Sequence, residues 1–181
     1  MRTQARIDGI TEAVIFRETA RLHGIGTTRR DFERFAAALA AAHVEHAAGL
    51  RERGHALPGA ALVLDRLAAV PGVVQTVVTG NVRAVAEIKL AAFDLDRPIQ
   101  WDLGAYGEDA DERANLVLLA LHRAGDVDPT EAVLLGDTPA GRDAGVPVIG
   151  VATGGSSAEE LHEAGAARVL PDLTDADRVM E

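Results

Sequence analysis

The second half of the chain alternates short apolar runs with amphipathic stretches, and this alternation constrains the fold more than any other feature of the sequence. Four apolar runs, each followed by turn residues, are predicted to be strands: residues 73–79, 99–103, 132–135 and 146–152. Residues 167–170 are a candidate short edge strand. The stretches between the runs have helical periodicity. Strands that alternate with helices predict an α/β fold with a parallel, doubly wound sheet.

The first half of the chain is predicted to be helical. Residues 11–23 carry spaced apolar side chains and are followed by Gly24, a helix stop signal. Thr28 is the predicted N-cap of one long helix that ends near Arg53. Pro58 then introduces a shorter helix over residues 59–70, because proline is well tolerated at a helix start.

The bulk composition excludes several classes of function. The chain has 181 residues, a net charge of −10 and no cysteine, so disulfides and thiol chemistry are excluded. An acidic chain without a basic cluster is not expected to bind nucleic acid. No apolar run is long enough to span a membrane, and no membrane partner is expected. We therefore expect a soluble, cytoplasmic protein.

Three predicted strands end in small polar residues: Thr79-Gly80-Asn81, Gly136-Asp137-Thr138 and Thr153-Gly154-Gly155. Ligands of parallel α/β sheets bind beyond the carboxyl ends of the strands, so these turns mark the expected site. The Thr79 hydroxyl suits a phosphate, although it also fits an ordinary strand position. The Asp137 carboxylate suits a metal ion, although aspartate also favours helix N-caps.

Several segments, in this order and spacing, resemble one known family. Residues 77–81 (VVTGN) and 134–139 (LLGDTP) resemble the second and fourth motifs of haloacid dehalogenase-type phosphatases. Residues 147–161 and 167–173 resemble the C-terminal part of the phosphoglycolate-phosphatase-like members, and residues 57–60 the return from a helical cap. The resemblance implies a helical cap at residues 7–55 and an α/β core at residues 56–181.

The resemblance also implies a chemistry, namely Mg²⁺-dependent hydrolysis of a small phosphate ester. In that family a strand-end aspartate attacks phosphorus, and a second aspartate acts as acid and base. Thr79, Gly80 and Asn81 correspond to the groups that hold the phosphoryl group. Asp137 corresponds to a metal ligand, and the expected partner is a small phosphorylated metabolite.

The cation that offsets the phosphoryl charge has two candidates, Lys89 and Arg113. Lys89 lies eight residues after Asn81, in a helix predicted to run away from the strand end, and therefore roughly 12 Å from the helix start. It is expected to point elsewhere, so Arg113 is preferred. The acidic residues 108–112 are interpreted as a cluster at the N-terminus of the helix containing Arg113, where the helix dipole favours negative charge.

Two departures from the family pattern affect the site. The Asp-x-Asp-Gly-Thr motif of the nucleophile is absent, and neither residues 7–11 nor residues 93–96 replace it convincingly. Residues 7–11 are interpreted as the entry to the cap. The second acidic metal ligand is also missing from its usual place, which leaves Asp143 as the nearby replacement.

Three interpretations of the missing nucleophile remain open: an inactive phosphatase, a non-catalytic binding or interaction protein, and a fragment of an active enzyme. The family's nucleophile strand lies between the strands at residues 73–79 and 132–135. Without it, these strands are expected to pair directly, to accept another segment, or to self-associate through their unpaired edges.

Overall fold

The computed structural model describes residues 9–136, 143–154 and 156–180. Eight helices are assigned in these ranges: α1 (Glu12–Leu22), α2 (Arg29–Glu45), α3 (Ala47–Arg53), α4 (Ala60–Ala68), α5 (Arg83–Ala91), α6 (Arg113–Arg123), α7 (Ala158–Glu163) and α8 (Asp177–Met180). The strands assigned there are β1 (Leu134–Gly136), β2 (Val148–Val151) and β3 (Arg168–Leu170). Short 3-10 turns lie at Trp101–Leu103 and Pro129–Glu131.

The helix starts follow local capping signals. The Thr11 side chain accepts a hydrogen bond from Val14 N, which fixes the start of α1. Thr28 and Asp31 form a reciprocal capping box at the start of α2. Because these bonds join residues three apart, sequence alone is enough to locate both helix starts.

The long helix predicted over residues 28–53 is interrupted at His46, which separates α2 from α3. The backbone of His46 leaves the helical region, with φ −104° and ψ 12°. The change of direction brings α3 against α5, where Arg51 Nε donates a hydrogen bond to Ala92 O over 2.5 Å. A tertiary contact of this kind has no signature in the local sequence.

The parallel sheet predicted from the alternating pattern is confirmed. Its strand order is β1-β2-β3, and Leu134 pairs with Val148 while Ile149 pairs with Arg168. The short strand predicted at residues 167–170 is therefore present, as β3, beside β2. On one face, α4 contributes Val63 to a buried cluster with Val151, Leu170, Leu173 and Ala176.

A second parallel pairing joins Val78 to Ala105. Thr79 N donates to Ala105 O and Ala105 N donates to Val77 O, both over 3.0 Å. The strand predicted at residues 99–103 is wrong, because Trp101–Leu103 form a 3-10 turn and the pairing falls two residues later. The Tyr106 hydroxyl donates to Trp101 O over 2.5 Å and so stabilises that turn.

The two pairings share a core without sharing backbone hydrogen bonds. Val78 and Leu134 both pack against a buried cluster of Val117, Ala144 and Val146. Across the described ranges, no backbone hydrogen bond joins β1 to residues 77–79. Direct pairing of these two strands, one of the expected outcomes, is therefore not found there. No helix in the described part of the chain is long and apolar enough to cross a membrane.

Candidate functional site

The turn after the first predicted strand is organised around the Thr79 hydroxyl. Thr79 Oγ1 accepts hydrogen bonds from the backbone N of Asn81 over 3.2 Å and from Asn81 Nδ2 over 3.1 Å. Because both bonds use Thr79 Oγ1 as acceptor, the hydroxyl proton is directed away from Asn81. Among the described residues, no acceptor takes that proton.

Lys89 returns to this turn from the last turn of α5. Its Nζ donates to Asn81 Oδ1 over 2.5 Å, so the expectation that Lys89 points elsewhere is wrong. Helical side chains lean towards the helix N-terminus, and the long lysine side chain covers much of the rise from the helix start. Thr79, Asn81 and Lys89 therefore form one hydrogen-bonded set, which we call the TNK cluster.

Three backbone segments pack so closely at Gly80 that no side chain fits between them. A β-carbon on Gly80 would lie 2.6 Å from Ile10 O, and one on Gly107 would lie 1.9 Å from Gly80 O. Both distances are shorter than any tolerated contact with backbone atoms. The segment that leads into α1, the turn at Gly80 and the loop around Gly107 are thus in direct backbone contact.

Two carboxylates bind the N-terminus of α5. Glu12 Oε2 accepts from Val82 N over 2.6 Å, and the Glu108 carboxylate accepts from Arg83 N at 3.0 and 3.1 Å. Burial raises the pKa of both carboxyl groups, and their mutual repulsion adds to the effect at Glu108. Both side chains are only partly buried, and perturbed carboxyl pKa values occur often at functional sites.

Neither carboxylate was recognised from the sequence. The sequence predicts that the acidic residues 108–112 all lie at the N-terminus of α6. In the structure Glu108 instead accepts a hydrogen bond from Arg83 N at the N-terminus of α5. The residues it joins are 25 positions apart, and Glu12 and Val82 are 70 apart. No pattern in the sequence relates positions at such separations.

Residues 9–11 lead into α1, whose N-cap is Thr11. Thr11 is fully buried, and its Oγ1 lies 3.5 Å from Asp111 O. Arg17 and Asp111 add a bidentate ion pair with N–O distances of 3.3 and 2.8 Å. Since both side chains are about half exposed, we expect this pair to contribute little stability.

Arg113, the other candidate cation, is the first residue of α6. Its Nε is buried without a hydrogen-bond partner, and no described residue pairs with its guanidinium. A buried donor without a partner is costly, which is consistent with a site for an anion.

The predicted metal ligands are the least described part of the site. Asp137 lies outside the described residues, and Asp143 is exposed. Within the described ranges, no group of three or more histidine, aspartate or glutamate side chains is close enough to hold a metal ion. At residues 93–96, Asp94 is exposed and lies 3.8 Å from the guanidinium of Arg51, outside the TNK cluster.

The haloacid dehalogenase-like hydrolase family model matches residues 113–176. No curated protein matches the sequence of this chain. Among solved structures, a hydrolase from Pseudomonas syringae is 25% identical with a TM-score of 0.69, and the match covers 96% of this chain and 78% of that one.

Two further structures share the fold at lower identity. A haloacid dehalogenase-like hydrolase from Streptococcus pneumoniae is 15% identical with a TM-score of 0.62, covering 97% of this chain and 95% of that one. A predicted phosphoglycolate phosphatase from Haemophilus somnus is 17% identical with a TM-score of 0.59, covering 91% and 73% respectively. The family match over residues 113–176 and the fold shared over nearly the whole chain show that this chain is similar to the haloacid dehalogenase-like hydrolases.

Proposed function

We propose that the TNK cluster binds the phosphoryl group of a small phosphate monoester, and that the parent activity of this fold is Mg²⁺-dependent phosphate ester hydrolysis. The observation that carries the proposal is the hydrogen bond from Lys89 Nζ to Asn81 Oδ1, because it holds a cation beside the Thr79 hydroxyl. The fold and its structural relatives support the same class of substrate.

The donors of the TNK cluster suit a tetrahedral anion. The ammonium group of Lys89 has three N–H bonds and uses one on Asn81, so the others are available to phosphate oxygens. The Thr79 hydroxyl accepts from Asn81 and is left with a proton to donate. Donors fixed before the ligand arrives stabilise its charge without reorganisation.

Arg113 supplies a second positive charge under this proposal. Its guanidinium has no described carboxylate partner, so it is free to pair with an anion. A planar guanidinium binds two phosphate oxygens at once, whereas lysine acts as a point charge. We assign Lys89 to the transferring phosphoryl group and Arg113 to the remaining charge of the substrate.

The metal proposal rests on donor chemistry. Asp137 and Asp143 offer carboxylate oxygens, which are the ligands that Mg²⁺ prefers, and they are the residues that would hold it. When bound, Mg²⁺ neutralises charge on the phosphoryl oxygens. The side chains of Thr79 and Lys89 orient the phosphoryl group.

Hydrolysis by the family route needs an aspartate nucleophile, and the 181 residues contain no Asp-x-Asp-Gly-Thr motif. We therefore propose that this chain binds phosphate esters without turning them over. In this form the chain is a non-catalytic binding protein. The ordered TNK cluster supports the binding role.

Titration with inorganic phosphate, followed by calorimetry, tests the binding proposal. Lys89→Met should remove most of the affinity, since it deletes the ammonium group and keeps a side chain of similar length. Arg97→Met on the exposed surface is the control and should leave the affinity unchanged. Equal affinities of the wild-type chain and Lys89→Met would contradict the proposal.

A further inference from the structure

Glu12 contacts the phosphoryl-binding turn twice. Its backbone N donates to Gly80 O over 2.8 Å, and its Oε2 accepts from Val82 N over 2.6 Å. Gly80 and Val82 are the two neighbours of Asn81. A single residue at the start of α1 therefore holds the backbone on both sides of Asn81.

The position of Asn81 decides the geometry of the TNK cluster. Asn81 receives Lys89 Nζ on its side-chain oxygen and donates from its side-chain nitrogen to Thr79 Oγ1. A rotation of the backbone at Asn81 would therefore move the ammonium group and the hydroxyl proton together. Glu12 restrains that rotation from outside the turn.

The backbone that Glu12 restrains is tightly packed. Gly80 is buried, and Val82 is only 3% exposed. The close approach of Ile10 O to Gly80 keeps the start of α1 in van der Waals contact with the turn. The bond from Val82 N to a carboxylate is charge-assisted and hence stronger than a neutral hydrogen bond.

We propose that Glu12 is a positioning residue of the phosphoryl site, which acts by fixing Asn81 between Gly80 and Val82. The inference rests on the proposed function and extends it, because it makes a residue of the helical first half necessary for anion binding by the second half. Glu12 itself does not touch the anion.

Two substitutions test separately whether the length or the charge of the Glu12 side chain is needed for its hydrogen bond with Val82 N. Glu12→Gln keeps an oxygen at the same distance from the backbone and removes the charge. Glu12→Asp keeps the charge and shortens the side chain by one methylene, so that it no longer reaches Val82 N. Glu18→Asp is the matched control, because Glu18 lies on α1 and pairs with Arg21.

The dissociation constant for inorganic phosphate and the amide exchange rate of Val82 are measured for the wild-type chain and each variant. Glu12→Asp should weaken phosphate binding about tenfold, the effect of losing one charge-assisted hydrogen bond, and should speed exchange at Val82. Glu12→Gln should stay within about twofold of the wild-type chain in both measurements, because its amide oxygen still accepts from Val82 N. Glu18→Asp should change neither.

Each contrary result has a distinct meaning. Wild-type phosphate affinity in Glu12→Asp would overturn the positioning role and leave the proposed function intact. A larger loss in Glu12→Gln than in Glu12→Asp would also overturn it, because charge rather than reach would then matter. If the wild-type chain binds no phosphate, the proposed function fails and the positioning role fails with it.

Discussion

Lys89 Nζ donates a hydrogen bond to Oδ1 of Asn81, eight residues earlier in the chain. The bond spans almost the whole of α5 and connects its last turn with the residue before its N-cap. Through Asn81 Nδ2 the connection continues to Thr79 Oγ1. The cation and the hydroxyl that the proposed function requires are therefore placed by one amide side chain.

Asn81→Ala should weaken phosphate binding although Asn81 is not itself expected to contact the anion. The substitution removes the partner that holds Lys89 and one of the two donors that orient the Thr79 hydroxyl. We expect about a tenfold loss of affinity, the size of one or two hydrogen bonds. Calorimetric titration with phosphate measures it, and an unchanged dissociation constant would contradict the role of Asn81.

Thr79→Val should abolish the rise in melting temperature that phosphate causes through linkage. Valine has nearly the shape of threonine and lacks the hydroxyl, so the fold should persist while the donor is lost. Thermal unfolding with and without phosphate measures the shift. If Thr79→Val shows the wild-type shift, Thr79 is not an anion ligand.

The 181-residue chain should not turn over a general phosphatase substrate in the presence of Mg²⁺. The physical reason is that the sequence contains no Asp-x-Asp-Gly-Thr motif, which carries the nucleophile in the family. Release of p-nitrophenol from its phosphate ester is the measurement. Robust turnover that disappears in Asp137→Asn would show that another residue acts as nucleophile.

Glu108→Gln should raise the stability at neutral pH. Burial raises the pKa of Glu108 in the folded chain, so its contribution is most favourable below the unfolded pKa and is lost as pH rises through the folded pKa. Glutamine avoids that loss. The difference in melting temperature between variant and wild type should therefore grow from pH 4 to pH 7.

Glu160→Gln is the control for Glu108, with the opposite sign. Hydrogen bonds from Ser157 lower the pKa of Glu160, so its ionised form stabilises α7 above the unfolded pKa, and this contribution is lost as pH falls. The substitution should lower stability at pH 7 and have little effect at pH 3. If both variants shift the melting temperature in the same direction at pH 7, the assignment of the two shifts is wrong.

The chain should self-associate in solution. In the described ranges β1 pairs only with β2, and residues 77–79 pair only through Ala105, although Val78 and Leu134 pack on the same cluster. Each buried backbone group without a partner costs about 1–3 kcal/mol, and several would rival a whole domain stability of about 5–15 kcal/mol. Light scattering measures the effect, and a monodisperse monomer with sharp, reversible unfolding would contradict it.

The features predicted correctly from sequence are those set by neighbouring residues. Thr28 locates the start of α2 because its capping partner Asp31 lies three residues away. The parallel sheet follows from the alternation of apolar runs and helices. Residues 73–79, in contrast, form only an isolated bridge at Val78, and Thr79 and Asn81 are hydrogen-bonded just after it.

The features missed depend on contacts between distant residues or on side-chain direction. Glu12 and Glu108 acquire their roles only when residues 70 and 25 positions away are brought to them. Lys89 was placed by helix rise alone, which ignores the lean of helical side chains towards the N-terminus. At residues 99–103 the Tyr106 hydroxyl donates to Trp101 O, which stabilises the 3-10 turn found there in place of a strand.

Gly24 and Gly107 differ in the space that a β-carbon would find. Gly24 has φ +70° and open space around it, so asparagine, which also tolerates the left-handed region, is an acceptable exchange. Gly107 has no such freedom, because Gly80 O occupies the place of its β-carbon. In a saturation library at position 107 we expect glycine to be the only residue found in folded variants. A second substitution at position 80 should not rescue the others, because the clash is with the backbone oxygen of residue 80, which every amino acid carries.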